Sequence, residues 1–430
     1  MEKLIDRPDY LKKLDIMRQH KDLVKILTGV RRCGKSKIFT LFQNHLRRLG
    51  VWDDQIININ LEDTVQTNQI GLTLNDKKLL CSYQTLLDYV LKLMPTDKDV
   101  YIFIDEVQLL EDWQLVANAL RLRENAEVYL TGSNAYMFSG DLANSFGGRY
   151  IEIKVQPFSF KEYCSAFPEN KDIHRLYEDY IRESGFPQTL SFNANKDIID
   201  AYLKDTVYLN TVQKDIVKRF NVADTGKLDA VVKYIFANIG SETSLKGIEN
   251  GLKAGGASVS APTIDLYIKG LLDSYLVYKC GRYDIKGKQY LNGNSKYYVA
   301  DIGLRTVLLG RSDTDLGHML ENIVYLELIR RGYTVSTGCV KTKFITENGV
   351  RKRKNIEVDF IAKKADQVEY YQVALYALEP ETLKRELQSL KEIEDNFPKF
   401  ILSMDYGSGN TDGIKRVNVL DWLLAQSDEA

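Results

Sequence analysis

Cysteine, histidine, proline and long apolar runs are all scarce in this 430-residue chain, and each scarcity closes off a class of function. The five cysteines, Cys33, Cys81, Cys164, Cys280 and Cys339, stand far apart, and no two form a CxxC pair. That spacing excludes a disulfide framework and a zinc knuckle. The four histidines, His20, His45, His174 and His318, are scattered, so no transition-metal site is expected. Eight prolines leave little room for extended linkers and suit a helix-rich protein. No apolar run reaches the roughly 18 residues a membrane span requires. The start, Met1 to Asp6, lacks the pattern of a signal peptide, so the expectation is a soluble cytoplasmic protein with no membrane partner. An excess of one charge is missing too: 58 Lys and Arg against 59 Asp and Glu leave a net charge of −1. Nucleic-acid binding therefore needs a local basic patch rather than a polycationic whole.

What is present is an ordinary globular composition, 44 % hydrophobic and 27 % charged. The length suits about two to four domains. Leu23–Thr28 (LVKILT) is a short apolar run of strand type, followed by GVRRCGKS from Gly29 to Ser36. After it, Ile38, Phe39, Leu41, Phe42 and Leu46 recur at helical spacing up to Gly50. A GxxxxGK[ST] loop between a strand and a helix is the context a phosphate-binding loop needs. Its glycines, Gly29 and Gly34, let the backbone of Gly29, Val30, Arg31, Arg32, Cys33 and Gly34 wrap a polyphosphate. The helix N-terminus aims N–H groups at the anion. Lys35 supplies charge to the β- and γ-phosphates, and Ser36 a ligand for Mg²⁺. ATP with Mg²⁺ is the expected cofactor. Arg31 and Arg32 are open between facing the nucleotide and facing a partner's acid.

Val100–Asp105 (VYIFID) is a β-rich run ending in Asp105-Glu106, the form of a Walker B element. Asp105 is expected in the Mg²⁺ shell, and Glu106 to polarise an attacking water, which implies hydrolysis. Glu127–Thr131 (EVYLT) is a third strand, and Gln55–Asn60 a further one at the sheet edge. A polar residue at the tip of the third strand can sense the γ-phosphate; Asn134 is the first choice and Ser133 the second. Arg149 enters the strand Tyr150–Val155, where it either stabilises a neighbouring subunit's γ-phosphate or pairs with a surface acid. Glu62 and Asp63 are expected to be loop acids.

LVKILTGVRRCGKS, YIFIDEVQLLEDW, YLTGSNAYMFSGDLANSFGGRY and QPFSFKEY together resemble a prokaryotic family of AAA-superfamily ATPases that carry a C-terminal restriction-endonuclease-like domain. YIRESGFPQTL, Tyr180–Leu190, resembles the family's glycine–proline lid, which makes Pro187 a candidate adenine contact. The resemblance spans about residues 5–380 and implies an α/β fold with four parts. These are an AAA-type P-loop core over 1–156, a helical lid over 157–225, a winged helix-turn-helix over 226–300 and a nuclease-like α/β domain over 301–430. It also implies a homo-oligomer, with a hexameric ring as one form.

The middle of the chain reads as helix, helix, helix and wing: Leu228–Ile239, SLKGIENGLKAG, Ala261–Leu272, then Tyr275–Lys279 and Lys296–Val299. The third helix carries Lys269 but also Asp265 and Asp273, so a subunit-contact role stands beside DNA reading. Farther on, Glu321 on a helix and Asp359 on a strand match two acids of the nuclease fold, which there hold Mg²⁺. Gln372-Val373-Ala374 stands where that fold has acid–x–lysine, so little or no nuclease activity is expected; an unrelated α/β domain is the other reading. Lys341, Lys343, Arg351, Lys352, Arg353 and Lys354 form a basic cluster. It is either a solvated loop or a track for a DNA backbone. The functional expectation is an ATPase that moves on or remodels DNA. The alternatives are a nucleotide-controlled assembly switch with slow turnover and an ATP-gated nuclease.

Overall fold

A computed structural model describes residues 4–75, 79–133, 146–310, 315–345 and 351–425, with the side chains of 342–345 and 351–354 left aside. The chain divides into two compact units. One takes the residues up to Pro157 with Phe186–Ser191 and Asp273–Tyr275; the other takes the rest.

The first unit is built on a parallel sheet. Its strands are β1 (Val24–Thr28), β2 (Ile56–Asn60), β5 (Val100–Asp105), β6 (Ala126–Gly132) and β7 (Tyr150–Lys154), in the order β2-β5-β6-β1-β7. A short pair, β3 (Thr73–Leu74) and β4 (Leu80–Cys81), lies outside it. The central strands are apolar on both faces because helices cover both, as a parallel sheet requires. Ile102 and Ile104 of β5, with Val128 and Leu130 of β6, join a cluster that includes Leu86, Trp113 and Val116. The side chains between them face the other way. The Phe103 ring centroid lies 5.0 Å from that of Phe39 and 4.8 Å from that of Tyr129. Phe39 and Phe42 belong to the helix Lys35–Arg48, whose buried face is Ile38, Phe39, Leu41, Phe42 and Leu46. The sheet thus presses the first turn of that helix beside the ends of β1 and β5. Asp63 caps the helix Thr64–Ile70 by accepting from the N–H groups of Val65 and Gln66, the structural role expected of a loop acid.

The second unit holds eight strands: β8 (Val277–Asp284), β9 (Gln289–Val299), β10 (Thr334–Ile345), β11 (Arg351–Lys364), β12 (Gln367–Ala374), β13 (Lys399–Ser403), β14 (Gly409–Thr411) and β15 (Ile414–Asn418). Their order is β14-β15-β13-β12-β11-β10-β8-β9. Helices Thr225–Ala237, Leu245–Ala254 and Ala261–Asp273 precede the antiparallel β8–β9 hairpin. That hairpin shares a sheet with the C-terminal strands, because β8 pairs in parallel with β10 at residues 282–284 and 337–339. The amphipathic stretch after the glycine–proline segment is helical, but Tyr202–Leu209 and Val212–Val217 are wound wider, as π-helix. Among the described residues no helix is long and apolar enough to cross a membrane.

Candidate functional site

The phosphate loop leaves β1 at Gly29, whose φ is +145° and whose added Cβ would meet the Val155 carbonyl oxygen at 2.0 Å. Only glycine fits there. At the other end Gly34, φ +100°, caps the helix that starts with Lys35. Val30 and Cys33 are fully buried beneath the loop, and Arg32 is exposed. Lys35 is 4 % exposed, and its ammonium donates to the carbonyls of Gly29 at 3.0 Å and Val30 at 3.3 Å. The loop's own oxygens thus satisfy the charge that phosphate oxygens would take up.

Asp105 ends β5, 6 % exposed. Burial pushes its carboxyl above the usual range, and hydrogen bonds from the hydroxyls of Ser36 and Thr131 work against that push. The structure therefore brings together Ser36 and Asp105, the two residues expected around Mg²⁺. Thr131 fixes both acids: its hydroxyl donates to Asp105 Oδ1 and accepts from the Glu106 N–H at 2.9 Å. Glu106 sits at φ +56°, a conformation that a non-glycine residue rarely holds. Gln108 Nε2 donates to Glu106 Oε2 and lies 3.2 Å from Ser133 Oγ. Ser133 is fully buried, and Asn134 lies outside the described residues.

Two further expected residues are placed very differently. Pro187 comes to the loop: its Cγ lies 3.4 Å from where a Cβ on Gly34 would be. Arg149 is exposed at the opposite end of the sheet. Its carbonyl accepts from Val24, the first residue of β1, and Val24 pairs with Tyr150. At about 3.3 Å per residue, that puts Arg149 on the order of 15 Å from the phosphate loop of its own chain.

Sequence reasoning missed Arg7. Its guanidinium is 2 % exposed, donates to the Cys33 carbonyl at 3.1 Å and the Gln156 carbonyl at 2.9 Å, and stacks 4.4 Å from the Tyr10 ring centroid. No local pattern marks it, because its partners are 26 and 149 residues away. Gln108 and Thr131 carried a weak signal, as polar residues directly beside the two acids and at the tip of β6.

In the second unit Glu321 and Asp359 are both buried and share a neighbour, Lys296 of β9. The ammonium lies 2.8 Å from Glu321 Oε1 and 2.7 Å from Glu357 Oε1. Burial opposes its charge, but the carboxylates of Glu321, Asp359 and Glu357 hold it above its ordinary pKa. Tyr298 also donates to Glu321 Oε1, at 2.6 Å. Asp359 is pushed well up by burial and by Glu321. Its Oδ2 accepts from the Val373 N–H at 2.8 Å. Gln372 spends its amide locally, accepting from the Asp359 N–H at 3.0 Å and donating to Glu386 at 2.6 Å. Among the described residues no three His, Cys, Asp or Glu side chains gather as a metal-binding group. The basic cluster lies on β10 and β11, where Lys343 pairs with Arg353 and Ile345 with Arg351 in an antiparallel ribbon. Lys341 is already paired, 2.5 Å from Asp284.

A family model described as an AAA domain matches residues 21–164, and one described as a domain of unknown function matches 174–315. An uncharacterized protein of Haemophilus influenzae is 34 % identical over 427 residues, covering 98 % of this chain and 99 % of that one. The uncharacterized protein MJ1544 of Methanocaldococcus jannaschii is 25 % identical over 445 residues, covering 98 % and 91 %. Among solved structures, the Walker-type ATPase PABY2304 of Pyrococcus abyssi is 18 % identical with a TM-score of 0.42, covering 71 % of this chain and 95 % of that one. Cdc6p of Pyrobaculum aerophilum is 13 % identical with a TM-score of 0.31, covering 72 % and 94 %.

Proposed function

This chain belongs to one family with the uncharacterized Haemophilus influenzae protein and carries an AAA domain, and on that premise we propose that it is an ATPase that uses ATP to move on or remodel DNA. The observation that carries the ATPase reading is the convergence of Lys35, Ser36, Asp105 and Glu106 at the ends of β1 and β5. Lys35 exchanges its two carbonyls for phosphate oxygens. Ser36 and Asp105 would hold Mg²⁺, which when bound offsets the charge of the phosphates. Glu106, held at the strand tip by Thr131 and Gln108, takes the role of orienting water. Pro187 adjoins the loop, as a base contact from the lid requires.

Arg149 serves another subunit's γ-phosphate in this reading, since it lies far from its own chain's loop. That makes the working form a homo-oligomer, with a ring as the natural closed arrangement. Residues 226–300 act as a winged helix and 301–430 as a nuclease-like domain without nuclease chemistry. The support for the last point is Lys296, an internal cation that occupies the acids, together with Gln372 in place of an acid. The basic ribbon of β10 and β11 supplies the DNA contact.

The test is ATP turnover measured with and without single-stranded, duplex and branched DNA, with Glu106→Gln as the blank. Stimulation by one DNA form is the expected outcome. Steady turnover indifferent to every DNA rejects the DNA part of the reading, and no turnover above the blank rejects the ATPase.

A further inference from the structure

Buried polar groups in folded proteins are almost always hydrogen-bonded, and the exceptions mark places where something else supplies the partner. Among the described residues of the first unit, His45 Nε2 and Gln108 Oε1 are such exceptions, and Gln156 is one at both of its side-chain polar atoms. It is 2 % exposed, and neither Oε1 nor Nε2 has a hydrogen-bond partner among the described residues. Its backbone, by contrast, is fully used. The N–H donates to the Tyr10 hydroxyl at 3.2 Å, and the carbonyl accepts from Arg7 at 2.9 Å.

Those partners tie Gln156 to the phosphate loop. The same Arg7 guanidinium donates to the Cys33 carbonyl, one residue before Gly34. The carbonyl of Val155, the preceding residue, lies against Gly29, and the Cys33 thiol donates to it at 3.4 Å. Pro187 adjoins Gly34. Gln156 is therefore an unpaired amide anchored beside a loop built to hold a nucleotide, on the part of the unit that also carries Pro187.

A carboxamide presents one acceptor next to one donor. That pair matches adenine, whose N6 amino group donates beside a ring nitrogen that accepts. On the edge that carries N7, it mismatches guanine and hypoxanthine, where O6 and N7 are both acceptors. We propose that Gln156 reads the N7 edge of the base of the bound nucleotide: Oε1 accepts from the adenine amino group and Nε2 donates to N7. This rests on the phosphate-loop reading above and adds the residue that selects ATP. An unpaired buried amide costs stability. Gln156 is thus a position where folding is weakened in favour of recognition.

The experiment measures the affinity of the full chain for ATP, inosine triphosphate and inorganic tripolyphosphate, in the wild type, Gln156→Leu and Gln156→Met. The wild type should prefer ATP over inosine triphosphate by about tenfold or more, the scale of one bidentate base contact. Both variants should lose that preference while holding tripolyphosphate as before. Their melting temperatures without nucleotide should match or exceed the wild type's. A preference that survives in both variants overturns the proposal, as does a wild type that binds ATP and inosine triphosphate equally. A wild type that binds neither ATP nor tripolyphosphate overturns the phosphate-loop reading itself and this proposal with it.

Discussion

Gln108 donates a hydrogen bond to the carboxylate of Glu106, and it lies 3.2 Å from Ser133 at the end of β6. The acid that follows Asp105 is thus oriented by a side chain that also reaches the end of β6. Replacing Glu106 with Gln should leave nucleotide binding intact and lower turnover by roughly 10²-fold or more, the usual share of a general base. Gln108→Ala should lower kcat by about tenfold with KM little changed, since Gln108 positions the acid rather than the phosphates. Steady-state kinetics on both variants check this.

Lys35→Ala removes the charge that the proposed function assigns to the β- and γ-phosphates. Nucleotide affinity should fall at least about tenfold, since charge-assisted contacts to phosphate contribute about 1.5–3 kcal/mol each. The Gly29 and Val30 carbonyls would also lose their donor. A small drop in melting temperature without nucleotide should accompany the lost affinity, and a fluorescent-nucleotide titration beside a thermal melt reads both.

Lys296→Met leaves Glu321, Glu357 and Asp359 facing one another without their cation. Breaking one partner out of a buried ion pair costs about 3–5 kcal/mol. A denaturant titration should show a loss of that size, and adding Glu321→Gln to Lys296→Met should recover part of it.

Asp284 is held below the usual carboxylate range by the hydrogen bond from Lys341 and by the Gly287 N–H. A depressed folded-state pKa contributes stability above the unfolded value near 3.8, and that contribution is lost as pH falls through the lower folded value. Asp284→Asn should therefore lower the melting temperature at pH 7, and the difference should shrink as the buffer is taken progressively below the unfolded value near 3.8.

The same pairing separates the basic residues of the β10–β11 ribbon. Lys341 already has a counter-charge, so Lys341→Gln should barely change the salt dependence of DNA binding. Neutralising Arg351, Lys352, Arg353 and Lys354 together should weaken DNA binding and reduce the slope of log K against log salt by about three to four. Fluorescence anisotropy at several salt concentrations measures it; an unchanged slope places the DNA contact elsewhere.

Much of the first unit was legible because its signals are contiguous. The strand, glycine loop and amphipathic helix of residues 23–50 each follow from neighbours a few positions apart, and so does the apolar strand that ends in Asp105-Glu106. The second unit was legible at Glu321, Asp359 and Gln372 as single positions, but the cation between the acids was not. Lys296 reads locally as one polar residue entering an aromatic strand.

The amino-acid sequence by itself determined where the glycine loop and its helix lie and which strand ends in Asp105-Glu106, since a loop and the first turn of its helix are built from adjacent residues. Tertiary structure alone decided the rest. It brought Arg7 and Gln156 to the loop from far along the chain. It set Lys296 among three carboxylates, and it carried Arg149 to the wrong end of β7 for its own nucleotide. The reason is physical: parallel pairing fixes which strand ends lie together, and burial makes a distant charge or amide matter, and neither is written in the spacing of nearby residues.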